Sequence, residues 1–136
     1  MKGVKVLSTT KYSKQREAIK VYLQHSHSHP TATKVYEDLR EEFPNISLGT
    51  VYRNLNFLVE HGEIMKIPCD DGSEHYDGNV TPHYHFVCRK CQQVTDLAIP
   101  ALDHINVLAA TNFEGEIEGH VTYFYGKCKA CKEQEQ

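Results

Sequence analysis

The sequence contains no apolar run of 18 residues, so no segment is predicted to cross a bilayer as a helix. It also does not begin with a charged stretch leading into an apolar one. MKGVKVLSTTKYSKQRE is polar almost throughout, and the expectation is a cytoplasmic protein without a membrane partner. Internal repeats and low-complexity tracts are absent, which sets aside solenoid architectures. Without an export signal, the five cysteines are read as metal ligands or free thiols in preference to a disulfide framework. At 136 residues the chain has room for one ordinary domain or two very small ones, and a small domain leans on a metal or a dimer partner for stability.

The net charge of −3 argues against nucleic acid only until it is divided along the chain. Residues 1–66 carry ten Lys and Arg against seven Asp and Glu, a net of +3; residues 67–136 carry five against eleven, a net of −6. Such asymmetry suits a nucleic-acid-binding half joined to a different module, although a basic helix is also an ordinary solvated face.

Apolar spacing agrees with that division. Ser13 is placed to cap a helix over residues 14–25, with Ala18, Ile19, Tyr22 and Leu23 inward. Thr31 caps a second helix, ATKVYEDLREEF, closed by Pro44, with Val35, Tyr36, Leu39 and Phe43 inward. Ser47 caps a third, where Leu48, Val51, Leu55, Leu58 and Val59 form one stripe and Gly62 supplies the stop. Two strand-like runs, EIMKIPC and EHYD, flank a DDG turn. Helix, helix, helix, hairpin is the order of a winged helix-turn-helix, predicted over residues 1–77. Residues 78–82 (GNVTP) read as a hinge, and 83–136 as a small α+β domain. In that domain HYHFVC, QQVTDL and HVTYFYGKC are strands, residues 100–112 form a helix, and the tail KEQEQ is mobile. The predicted class is α+β.

The third helix carries Gly49, Thr50, Arg53 and Asn56 away from its stripe, with Tyr52 at the boundary. These side chains suit a major groove of double-stranded DNA, where Arg reads guanine edges. An amphipathic helix with a polar outside has the same pattern. Lys14 and Arg16, at the start of the first helix, suit phosphate contacts. Phe57 points outward in this register without a sequence-level reason.

Chemistry concentrates in HYHFVCRKC, residues 83–91. Cys88 and Cys91 form one C-x-x-C, Cys128 and Cys131 another, and four thiolates in two knuckles compose a closed tetrahedral zinc site with no vacant position for chemistry. A redox pair would need only one such motif. Cys69 stands apart as a small residue of the wing. His83 and His85 share one side of a strand and Cys88 falls on the other, so the stretch serves two sites. Asp77 and Asp96 are nearby oxygen donors, and mixed nitrogen and oxygen ligands suit iron or manganese. Paired strand histidines are also a common surface feature.

SKQR, HPTA, FPNISLGTVYRNL, HYHFVCRKC and YGKCKAC together resemble the ferric uptake regulator family of bacterial metal-dependent repressors, from about Tyr12 to Cys131. The resemblance implies a winged-helix DNA-binding half, a homodimerising α+β half and structural Zn²⁺ on Cys88, Cys91, Cys128 and Cys131. It also implies a regulatory Fe²⁺ or Mn²⁺ site on His29, Asp77, His83, His85 and Asp96. Zinc-sensing members tend to carry cysteine at the place of Asp77, and iron-sensing members glutamate at that of Asp96, so the ligand set resembles the peroxide-sensing branch. Tyr84 and Pro82 depart from the richer His/Asp cluster of iron sensors. The function implied by this resemblance is repression at a palindromic operator, relieved when peroxide, through iron, oxidises His29 or His83. The alternatives are iron-, manganese- or zinc-responsive repression without peroxide sensing.

A zinc hydrolase or deaminase is the rival class. The deaminase pattern needs H-x-E and then P-C-x-x-C, and neither the glutamate nor the proline is present. A metal carrier would not need the basic half. His25, His27, His61 and His75 read as surface or flanking residues, and Asp103, His104 and His120 as ordinary positions with the makings of a minor extra site.

Overall fold

A computed structural model describes residues 14–69 and 71–135. The described chain divides between Val80 and Thr81 into two compact units. The first contains α1 (residues 14–24), α2 (Ala32–Leu39), α3 (Leu48–Glu60), β1 (Met65–Pro68) and β2 (Glu74–Asp77). The cap expected at Ser13 lies outside the described residues.

Apolar side chains from the three helices and the hairpin meet in one core of Ile19, Leu23, Val35, Leu39, Val51, Leu55, Leu58, Ile64 and Tyr76. Helix starts follow their caps: Thr31 Oγ1 accepts the Lys34 amide at 3.3 Å, and Ser47 Oγ accepts that of Thr50 at 3.1 Å. α3 ends on Gly62, whose φ of +70° lets its amide reach Val59 while that of Glu63 reaches Leu58. α2 stops at Leu39, earlier than its apolar pattern suggested. Pro44 disfavours helical backbone at Phe43, and Glu41 and Glu42 would crowd the negative end of the helix dipole. The inward stripe of α3 also differs from expectation. Leu48 is exposed, and Asn54 is buried with its Oδ1 accepting from Arg16 Nε.

β1 and β2 pair antiparallel, Met65 opposite Asp77 and Pro68 opposite Glu74. Their turn is held by Asp71 Oδ1, which accepts from both Ser73 N and Ser73 Oγ, and by Gly72 at φ +84°. Just past β2, a Cβ on Gly78 would stand 2.5 Å from the Gln24 nitrogen, so the backbone leaving the hairpin presses directly on the end of α1.

The second unit contains β3 (His85–Cys88), β4 (Val94–Asp96), α4 (His104–Ala110), β5 (Tyr123–Gly126) and α5 (Lys129–Gln134). The sheet order is β4-β3-β5, with β3 antiparallel to β4 and parallel to β5. Tyr84, Val87 and Val94 are buried around β3, whereas α4 buries no side chain. α5 takes in residues 132–134 of the expected tail, and its one buried residue is Cys131.

Candidate metal centres and nucleic-acid interface

The knuckle after β3 turns through Gln92, whose positive φ of 63° lets its amide return to the Cys88 carbonyl at 2.8 Å. Parallel pairing then places Gly126 beside Cys88 and delivers the second knuckle to the first. The Sγ atoms of Cys88, Cys91, Cys128 and Cys131 all lie within 4.8 Å of one another, and no disulfide joins them. Amides of Cys91 and Cys128 point at Cys88 Sγ from 3.5 and 3.4 Å and hold its thiol down at about 6. Cys131 moves the other way, pushed up to about 12 by its contact with Cys128 and by burial. Cys88 and Cys131 are thus driven in opposite directions, an opposition that a bound dication would relieve. Donor number, softness and spacing fit Zn²⁺.

A second donor set on the same sheet contains no sulfur. His85 faces Asp96 across the β3–β4 ladder, and His83 precedes the strand with its ring 4.4 Å from that of His85. Both imidazoles bring Nε2 to the same carboxylate oxygen, Asp96 Oδ1, at 3.2 Å for His83 and 3.3 Å for His85. Nitrogen and oxygen donors so gathered fit a borderline or hard divalent ion.

The first unit builds a smaller pair. His29 is held at φ +53°, a conformation uncommon outside glycine, by the HSHSHP turn. Its carbonyl receives His75 Nδ1 at 2.6 Å, the neighbouring Pro30 carbonyl receives the Tyr76 amide, and its Nε2 lies 3.2 Å from Asp77 Oδ2. Such local strain is commonly stored where a side chain has to be aimed.

On α3, Gly49, Tyr52, Arg53 and Asn56 are exposed and Thr50 is half-buried. Arg53 Nη2 donates to Thr50 Oγ1 at 3.0 Å, and Thr50 Oγ1 in turn meets Ser47 Oγ at 2.9 Å. The cap and the guanidinium thus belong to one polar chain along the outer face. Lys14 is exposed. Arg16 has internal work: besides Asn54, its guanidinium stands 3.7 Å over the Phe57 ring, which itself stacks on His61. This supplies the reason for Phe57 that periodicity lacked.

The model of the Ferric uptake regulator family matches residues 8–125. The chain belongs to the ferric uptake regulator family. Among its relatives are the peroxide-responsive repressors PerR of Staphylococcus epidermidis, 41% identical over 88% of this chain and 80% of that protein, and of Staphylococcus aureus, 38% identical over 88% and 81%. The crystal structure of the Campylobacter jejuni peroxide stress regulator superposes with a TM-score of 0.81 at 29% identity, covering 96% of this chain and all of that one. The family consists of regulators, and this member is a regulator and not an enzyme. Its likeness runs to the peroxide-responsive branch, as the resemblance of its ligand set implied.

Within this family member, the sulfurs of the two C-x-x-C motifs converge, His83 and His85 share Asp96, and His29 pairs with Asp77. Asp103, His104 and His120 do not gather donor atoms among the described residues. Sequence patterning missed Asn54 and Tyr84, whose roles depend on polar partners far along the chain. No helix is long and apolar enough to cross a membrane among the described residues.

Proposed function

We propose that this chain is a metal-dependent, DNA-binding transcriptional repressor that acts as a homodimer in the cytoplasm and is inactivated by peroxide. The observation that carries the reading is the meeting of His83 and His85 Nε2 on one Asp96 oxygen. This nitrogen–oxygen donor set lacks thiolates entirely and is separate from the four-cysteine site. Zn²⁺ on Cys88, Cys91, Cys128 and Cys131 is structural. His29, Asp77, His83, His85 and Asp96 hold one regulatory Fe²⁺ or Mn²⁺.

Those ligands come from both sides of a hinge at residues 78–82, in a chain read as a winged-helix domain over 1–77 and a dimerisation domain over 83–136. One ion holding all five removes the hinge's freedom and selects the DNA-competent form. Dimerisation is supported by Val107, Leu108, Val121, Phe124 and Tyr125, all exposed in the second unit. Two-fold symmetry then implies a palindromic operator, with Thr50, Tyr52, Arg53 and Asn56 in the major groove and Lys14 on phosphate. Arg16 adds a phosphate contact from its place above Phe57.

Fe²⁺ held by these residues would lend one electron to peroxide and regain one from the oxidised ring, so that overall two electrons pass from imidazole to peroxide. His29 and His83 are the oxidisable rings: one gains a single oxygen atom, the peroxide ends as water, and the altered ring no longer serves as a ligand. The test uses zinc-containing protein and a duplex that it selects from a random pool. Fe²⁺-loaded protein should lose that duplex after brief exposure to peroxide, and Mn²⁺-loaded protein should keep it. Mass spectrometry should place one added oxygen on His29 or His83. An Fe²⁺ form that keeps its duplex with both histidines unmodified leaves an iron- or manganese-responsive repressor as the better reading.

A further inference from the structure

Between the two ligand histidines stands Tyr84, buried at 4% exposure, and its hydroxyl begins a chain of hydrogen bonds with one consistent direction. The Leu102 amide donates to the Tyr84 oxygen at 2.9 Å. The hydroxyl meets His120 Nε2 at 2.8 Å, and His120 Nδ1 meets Asn106 Oδ1 at 2.7 Å. An amide oxygen only accepts, so the His120 proton sits on Nδ1, which leaves Nε2 to accept from the tyrosine. The Tyr84 hydroxyl, both His120 ring nitrogens and Asn106 Oδ1 then all have partners.

The position of this chain gives it a second meaning. The Tyr84 carbonyl accepts the Leu97 amide at 3.0 Å, next to Asp96, so the tyrosine backbone belongs to the half-site of His83, His85 and Asp96. Its side chain ends at the first turn of α4, where Leu102 precedes the helix and Asn106 lies within it. α4 buries none of its own side chains, and Val107 and Leu108 are 70% and 66% exposed. α4 therefore has no fully buried apolar anchor of its own, and the polar chain ties it to the metal-bearing strand.

We propose that Tyr84, His120 and Asn106 form a metal-free clamp that couples the geometry of the His83/His85/Asp96 half-site to the orientation of α4 and its uncovered apolar face. This rests on the regulatory-site reading above. The three are positioning residues: none is a ligand, and each acts by holding strand and helix in one arrangement. Ordering the strand around an ion and seating α4 against a second copy then favour each other.

The test measures Mn²⁺ affinity of the zinc-containing full chain in solution, together with ¹⁵N NMR of the histidine rings and sedimentation. His120 should appear as the neutral Nδ1–H tautomer in the wild type. Tyr84→Phe and Asn106→Leu should bind Mn²⁺ more weakly, on the order of tenfold, while keeping zinc; Asn106→Asp, which preserves the acceptor, should keep wild-type affinity. Two variants guard against one that simply fails to fold. Unchanged Mn²⁺ affinity in both, or a lowered melting temperature with affinity intact, overturns the clamp, as does an Nε2–H tautomer for His120. A wild type that takes up no Mn²⁺, or an Asp96→Ala protein that takes it up normally, instead overturns the regulatory site itself.

Discussion

Replacing Cys88 with serine is expected to unfold the second unit and abolish dimerisation while the first unit keeps its fold. The described part of the second unit buries three large apolar side chains, Tyr84, Val87 and Val94. At about 1.5–3 kcal/mol apiece, their burial provides less than roughly 9 kcal/mol, before any cost of ordering the chain. A structural zinc contributes roughly 10–16 kcal/mol, more than that whole apolar gain. Cys88 is the most demanding of the four positions. It is fully buried, and its sulfur also accepts the Cys91 and Cys128 amides, which serine would reach less well. Zinc content, sedimentation and hydrogen exchange of the β3–β5 amides read the outcome. Slow exchange should persist in α3 and vanish from β3. A Cys88→Ser protein that is zinc-free, dimeric and still protected in β3 would refute this reasoning.

Three further outcomes are expected. Arg53→Ala should weaken binding to the selected duplex by about 1–3 kcal/mol and barely affect random DNA, as a lost base contact would; equal loss on both moves Arg53 to the phosphate class. Asp96→Glu should retain metal-dependent DNA binding but resist peroxide, because the longer side chain changes how the carboxylate meets the ion; equal sensitivity in both proteins counts against a role for carboxylate reach. The Lys20 ammonium, 2.8 Å from Glu63, holds that carboxyl below its ordinary 4.5, so the pair stabilises the fold above that pH and ceases to as pH falls through the depressed value. Melting temperatures of wild type and Glu63→Gln should therefore differ slightly at neutral pH and converge in acid, a small effect for so exposed a pair; a gap that widens in acid would reverse the assigned sign.

Features legible in the sequence were those with local causes. Thr31 and Ser47 cap helices because a hydroxyl three residues before an unpaired amide reaches it in almost any context. The convergence of Cys88, Cys91, Cys128 and Cys131 was legible because two identical C-x-x-C spacings suit one tetrahedral donor set. Residues whose partners are distant in sequence were not legible. Asn54 looks like a solvent-facing residue until Arg16, 38 positions earlier, occupies its oxygen. α5 lacks an apolar stripe: Cys131 anchors it, and Glu135 just beyond it ties back to Lys90 and Lys127. Tyr84 reads as a strand aromatic, and nothing in HYHFVC announces that its hydroxyl is held by Leu102 and His120.

Strands β3 and β5 run parallel, and no tight turn joins them, so nothing local dictates their alignment. A shift of β5 by two residues would keep every side chain on its proper face of the sheet. It would also carry Cys128 about 6–7 Å along the strand and out of reach of Cys88. The proposed zinc site would thus act as a ruler for chain alignment: with Cys88 paired to Gly126, the four sulfurs gather within 4.8 Å of one another. Phe124 and Tyr125 are fixed by the same alignment, so emptying the proposed zinc site should also scramble the pattern of exposed rings along β5.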